Sequence, residues 1–198
     1  MVTAGSLLSV EMVQWVRAQY GDQAVGRMQA WQQLMARQQS LSETEKLDQV
    51  NRFFNQLRYR SDLSIWGQSD YWATPLEALG RGEADCEDYS IAKYFTLREM
   101  GVAEERMRIM YVKALDLDQA HMVLAYYADE DAIPLLLDNL RGEIVPADQR
   151  GDLAPVYSFN GEGLWLAKQR GNGERLGSSS RLSLWQEMRA RMSMQIGG

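Results

Sequence analysis

The chain has 198 residues, 45% of them hydrophobic, which is enough to bury a full core and excludes disorder as the default state. A net charge of −6, with no clustered run of Lys and Arg, excludes a nucleic-acid partner and leaves a protein or a small molecule. A single cysteine excludes an internal disulfide and a cysteine-rich zinc site, so redox state fits cytosol and periplasm equally.

Near the start, the apolar stretch Leu7 to Val16 is interrupted by Glu11 and lacks a basic leader. It also falls far short of the roughly 20 residues that a membrane span needs. Apolar residues at helical spacing (Leu8, Met12, Trp15, Val16, then Met28, Trp31, Met35) predict one or two helices before residue 40, broken near Gly21. Ser42 and Glu45 form a capping box ahead of Leu47, Val50, Phe53, Phe54 and Leu57, which predicts another helix. From Arg60 to Gly82 turn residues mix with Trp66, Tyr71, Trp72 and Pro75, predicting a packed loop with a short helix near Leu76 to Leu79.

A helix is expected from about Asp85 to Met100, with Gly101 as its stop. The period then changes to that of strands: 107–114, 121–128 and 134–140, followed by PVYSFN and GLWLAK flanking a turn at Asn160 to Gly163. The stretch GNGERLGSSS (171–180) reads as flexible, and residues 181–193 as a closing amphipathic helix. Helices first and antiparallel strands after imply one α+β domain over 1–198. Its helical part would span about 7–100, its sheet about 106–168 and its C-terminal helix about 181–193, with N-terminal helices packed on an antiparallel sheet.

Cys86 opens the helix within ADCEDYS, among Asp85, Glu87 and Asp88. His121, the sole histidine, opens a predicted strand 35 residues later, and Asp138 ends the next strand 17 residues on. If those strands pair antiparallel, the start of one lies beside the end of the other, which brings His121 to Asp138. A thiol facing that edge would complete a set of nucleophile, base and orienter. Each member also has a plainer reading: a buried cysteine packs as a small hydrophobe, a lone histidine as a structural residue, and an Asp before Asn as a turn residue.

DCEDYSIAKYFTLREMGV, with WGQSDYWATPLEAL before it and HMVLAYY, LLLDNL and PVYSFNGEGLW after it, resembles the bacterial transglutaminase-like cysteine proteinases, the periplasmic proteases of the LapG type, from about Val50 to Trp165. The resemblance implies a papain-like, transglutaminase-type α+β fold with Cys86 as nucleophile, His121 as general base and Asp138 as its orienter. It further implies a calcium requirement, a periplasmic location in a mature form, and cleavage of a large surface adhesin near its N-terminus at a di-alanine bond. Control would come from an inner-membrane cyclic-di-GMP receptor whose periplasmic domain sequesters the enzyme.

A helix N-terminus lowers a thiol pKa from its usual value near 8.5. At an effective dielectric of about 20 and roughly 6 Å, each nearby carboxylate opposes the thiolate by about 2 to 3 kcal/mol. A bound dication offsets that penalty, in agreement with a family calcium site carried onto Asp85 and Glu87, with Asp88 a weaker candidate and Asp70 a further guess. The competing reading makes Asp85 an N-cap with Asp88 in a near capping box. The Cys86 backbone N–H is the expected oxyanion donor, with Trp72 or Asn55 as candidates for a second, and the aromatics from Trp66 to Trp72 either wall a shallow cleft or belong to the core. A transglutaminase or amidase using the same three residues, and a non-catalytic calcium-dependent adaptor, are the competing functions.

Overall fold

The computed structural model describes residues 9–166 and 173–196. Helices α1 (Val10–Tyr20) and α2 (Asp22–Ala36) break at Gly21, as the spacing predicts, and α3 (Glu43–Phe54) opens on the expected capping box of Ser42 and Glu45. After α3 the chain makes the two-residue strand β1 (Arg58–Tyr59) and the short helix α4 (Asp62–Trp66), neither of which sequence spacing reveals. Helix α5 (Pro75–Arg81) covers the short helix expected near Leu76 to Leu79. Thr74 and Glu77 cap it reciprocally, Pro75 suits its first turn, and Gly82 at φ 71 ends it in the left-handed conformation that glycine adopts without strain.

Gly80 is required for a different reason. A Cβ there would lie 2.8 Å from the ring of Tyr20, so α1 rests directly on the α5 backbone. Arg27 on α2 donates to the carbonyls of Leu79 and Gly80 at 2.6 and 2.8 Å, satisfying acceptors that the end of α5 leaves open.

Strand β2 (Glu83–Ala84) pairs in parallel with β1, Arg58 opposite Glu83 and Tyr59 opposite Ala84, and leads into α6 (Cys86–Glu99). From Asp88 to Leu97 every residue of α6 is buried, so this helix runs through the core rather than along its surface. Its polar side chains find partners there. Tyr89 donates to the Leu57 carbonyl at 2.7 Å, Ser90 to the Cys86 carbonyl at 3.1 Å, and Thr96 accepts from Trp31 at 2.8 Å.

The second half is a seven-stranded antiparallel sheet built from β3 (Met107–Ala114), β4 (Gln119–Tyr126), β5 (Leu135–Leu137), β6 (Val145–Pro146), β7 (Leu153–Phe159), β8 (Leu164–Leu166) and β9 (Arg175–Gly177). The spatial order is β6-β5-β4-β3-β7-β8-β9. Helix α6 packs on β4 and β3, with Cys86 at the start of the helix and Ala120 and His121 near the start of β4 lining one cavity. The expected hairpin is β7 and β8, closed by Asn160 N–H to Gly163 C=O at 3.1 Å; Ala167 and Lys168 of its second strand lie outside the described residues. The stretch expected to be flexible is corrected in part: Arg175–Gly177 pairs with β8, because the backbone of an edge strand takes up the Gly- and Ser-rich segment whatever its side chains. Gly171 and Asn172 lie outside the described residues.

Helix α7 (Ser183–Ile196) closes the structure. Trp185 is fully buried, stacked on Phe95 at 5.5 Å and edge-on to Tyr94 and Phe159, while Phe159 stacks on Trp72. Arg191 donates to the Trp72 carbonyl at 2.5 Å, and Gln195 contacts Thr74 and Glu77, so α7 holds the segment 72–77 in place. Trp185→Ala is expected to cost about 3 to 5 kcal/mol, read as a fall in the urea midpoint at unchanged m-value, since it empties a fully enclosed aromatic site.

Candidate active site

Cys86 is the first residue of α6, with Asp85 as the N-cap. Both carboxylate oxygens of the buried Asp88 are taken by backbone: Oδ1 accepts from Ala73 N–H at 2.7 Å and Oδ2 from Asp85 N–H at 3.4 Å. The plainer reading of Asp88 therefore describes its place, which is to tie the helix start to the loop before α5. Asp85 and Glu87 point elsewhere. With Asp62, the first residue of α4, they form a group whose ligating oxygens all lie within 4.8 Å of one another.

That group is electrostatically strained. Oδ1 of Asp62 and Oδ1 of Asp85 are buried with no hydrogen-bond partner, and Oδ2 of Asp62 accepts from Tyr71 N–H at 2.5 Å. Burial first, and the neighbouring carboxylates next, push the Asp85 carboxyl far above the usual carboxylate range, with Asp62 raised less. Two orphaned oxygens, one each from Asp62 and Asp85, with the Glu87 carboxylate beside them, match a hard cation that takes oxygen ligands. Asp70 lines the same cavity but stands outside this group.

Cys86 Sγ donates to Glu87 Oε2 at 3.0 Å. Burial is the largest cause pushing the thiol up, followed by the charge and hydrogen bond of Glu87 and the charge of Asp85, while the Met122 amide favours the thiolate. The opposition by Asp85 and Glu87 agrees with the sequence reading; the larger burial effect is set by packing that spacing does not reveal.

His121 is the third residue of β4, and Asp138 directly follows β5. The strands pair antiparallel with Leu124 opposite Leu137, which brings the two side chains together, His121 Nε2 to Asp138 Oδ1 at 2.8 Å, both buried. Burial would raise the Asp138 carboxyl, but hydrogen bonds from His121, Leu140 N–H and Arg150 outweigh it and hold it at about 2. Arg150, missed by the sequence reading, donates from Nη1 to Asp138 Oδ2 at 2.8 Å. Asn55, a candidate oxyanion donor, instead donates to the Asp138 backbone carbonyl at 2.8 Å and so steadies that turn.

One cavity of about 480 Å³ joins these parts, lined by Cys86, His121, the acids, Trp72 and the strip 181–184. Tyr111 and Tyr157, opposite each other on β3 and β7 and stacked at 5.0 Å, form another wall. Trp66 is not part of it; its ring packs on Tyr71 at 4.6 Å. Of the residues the sequence reading missed, Asp62 carries no local signal, because the β1–β2 pairing that brings it to Asp85 rests on two residues per strand.

The family model described as bacterial transglutaminase-like cysteine proteinase matches residues 12–152. Among solved structures, Legionella pneumophila LapG after EGTA treatment is 44% identical, with a TM-score of 0.80, covering 93% of this chain and 98% of that one. The calcium-bound form of the same protein is 44% identical, with a TM-score of 0.78, covering 93% and 99%. Comparison with curated proteins gives no significant match. With the family model running across most of its length and these structures alongside, the chain belongs to the bacterial transglutaminase-like cysteine proteinase family.

Proposed function

We propose that the chain is a calcium-dependent cysteine endopeptidase in which Cys86 is the nucleophile, His121 the general base and Asp138 the residue that orients it. The observation that carries this reading is the 2.8 Å bond from His121 to a buried carboxylate held ionised, with His121 and Cys86, at the head of α6, lining one cavity.

Because Asp138 engages Nε2, Nδ1 is the imidazole atom left to take the thiol proton. The thiol must first turn from Glu87 toward the ring. The thiolate then attacks the scissile carbonyl, whose developing oxyanion meets the Cys86 backbone N–H, with Trp72, which lines the cavity, the candidate for a second donor. The imidazolium, stabilised by Asp138, returns its proton to the leaving amine, and water then hydrolyses the thioester, with Nδ1 again accepting a proton. Asp62, Asp85 and Glu87 would hold the calcium ion, whose charge offsets the repulsion these carboxylates exert on the thiolate.

The substrate in this reading is a large cell-surface adhesin, cut near its N-terminus at a di-alanine site to release it from the cell and disperse a biofilm. The enzyme would act in the periplasm, restrained by the periplasmic domain of a cyclic-di-GMP receptor. The aromatic walls of Trp72, Tyr111 and Tyr157 support a preference for small side chains, since they narrow the cavity beside Cys86. Among the described residues no helix is long and apolar enough to cross a membrane.

Incubation with an alanine-rich N-terminal adhesin fragment is expected to yield two shorter peptides when calcium is present. A cross-linked product in their place would assign the chemistry to a transglutaminase. Cys86→Ala should leave no measurable cleavage while keeping the circular dichroism spectrum and urea midpoint; undiminished cleavage refutes the nucleophile assignment.

Chelation with EGTA should stop cleavage reversibly, and Asp62→Ala, Asp85→Ala and Glu87→Ala should each weaken calcium binding by at least tenfold in a calorimetric titration. Asp88→Ala is expected to behave differently. By stranding two backbone amides it should lower stability by about 1 to 3 kcal/mol in urea, more than it lowers calcium affinity.

A further inference from the structure

Asp138 receives more support than orienting an imidazole requires. Oδ1 takes two donors, His121 Nε2 at 2.8 Å and Leu140 N–H at 3.0 Å, so the position of Oδ2 depends on Arg150 Nη1 at 2.8 Å. Arg150 closes the 3₁₀ turn Ala147–Gln149 ahead of β7 and is 4% exposed. Its other edge grips Asp152, Nε to Oδ1 at 2.9 Å and Nη2 to Oδ2 at 2.7 Å. A guanidinium presents its N–H groups in one rigid plane, so a two-point grip on one carboxylate fixes where the remaining N–H points. Asp152 is anchored in turn, because its carbonyl accepts the Leu115 N–H at the end of β3 at 2.8 Å.

From this geometry we propose that Arg150 is a positioning residue for the reaction. Locked by Asp152, it fixes the Asp138 carboxylate so that His121 keeps its proton on Nε2 and leaves Nδ1 free for the thiol. The proposal rests on the assignment of Cys86, His121 and Asp138 given above.

Without Nη1, Oδ2 becomes a buried acceptor with no partner, and such a carboxylate relieves the cost by rotating or by taking up a proton. A protonated Asp138 donates to Nε2 instead of accepting from it, which places the imidazole proton on Nδ1, the wrong atom for a base. Lys93 on α6 also acts electrostatically on Asp138, but its buried Nζ makes no hydrogen bond and does not replace the missing donor. The conservative Arg150→Lys change offers a point charge without the fork and is not expected to restore the geometry.

The chain has one histidine and one cysteine, so both can be read without interference. In the 198-residue chain with calcium present, nitrogen-15 NMR of His121 at pH 8 is expected to show the pure Nε2–H tautomer. Arg150→Met and Arg150→Lys should give a mixture with Nδ1–H, and alkylation of Cys86 by iodoacetamide should slow at least tenfold. Asp152→Asn, which keeps Arg150 beside Asp138 but loosens its plane, should give a smaller tautomer shift and about threefold slower alkylation. It decides the matter alone if the Arg150 variants fail to fold. A folded variant set that keeps the pure Nε2–H tautomer overturns the proposal whatever its alkylation rate. If wild-type Cys86 reacts no faster than a free thiol, the protease reading fails instead, and the tautomer comparison still judges Arg150.

Discussion

Crowded negative charge at the head of a buried helix is the constraint around which the site is built. Asp62, Asp85 and Glu87 bring their oxygens within 4.8 Å of one another, with Asp88 behind them. Two full charges at that spacing repel by about 3 kcal/mol at an effective dielectric near 20, a large fraction of the roughly 5 to 15 kcal/mol that keeps a domain folded. The neighbouring Glu83 shows the ordinary solution, since Arg58 and Arg60 lie 3.6 and 3.5 Å from it. In the three-acid group, two oxygens are left with no partner at all. Such a group is stable either by retaining protons or by holding a cation; both remove the negative charge that faces the adjacent sulfur, and only the cation adds positive charge beside it.

Across the same cavity the electrostatics reverse. Around Asp138 every hydrogen bond favours the anion and together they outweigh its burial; around Cys86 burial, Glu87 and Asp85 all favour the neutral thiol. Groups whose surroundings push their protonation in opposite directions identify the acid and base roles of a site. In the proposed chemistry the base end is built into the fold through His121, Asp138 and Arg150, whereas Cys86, the proposed nucleophile, is poised against ionisation. On that proposal the fold pre-forms one half of the chemistry and leaves the other dependent on charge compensation at the acids.

What could be read in the sequence follows interaction range. The capping box at Ser42 and Glu45, the helix from Cys86 and the strand Met107–Ala114 are written in local periodicity, and each is found where expected. The approach of His121 to Asp138 also followed from local information, because antiparallel pairing of two consecutive strands puts the start of one beside the end of the next, as found with Leu124 opposite Leu137. Asp62, Arg150 and Asp152 were not legible. Asp62 reaches Asp85 through a two-residue parallel pairing with no periodicity, and Arg150 reaches Asp138 from a 3₁₀ turn that resembles any polar loop. Asn55 and Asp88 have partners that their residue types do not announce: the Asn55 amide N–H goes to the Asp138 carbonyl, and both Asp88 oxygens accept backbone N–H groups.

The cleft also divides along the chain. Cys86, His121, Asp138 and the acid group all fall within residues 12–152, the span matched by the family model. Tyr157 and the strip 181–184 that narrow the same cavity fall after it. This later wall is no loose appendage, because Trp185 is buried against Phe95 and Phe159, and Arg191 holds the Trp72 carbonyl. Trp72 is therefore gripped through its backbone by α7 and through its ring by Phe159 of β7. A change in how α7 packs would shift the shape of the cleft beside the thiol while leaving the His121–Asp138–Arg150 chain, anchored to the sheet, in place. The cleft wall is thus shared between the span that holds Cys86 and His121, which supplies Trp72 and Tyr111, and the later segment, which supplies Tyr157 and the strip 181–184.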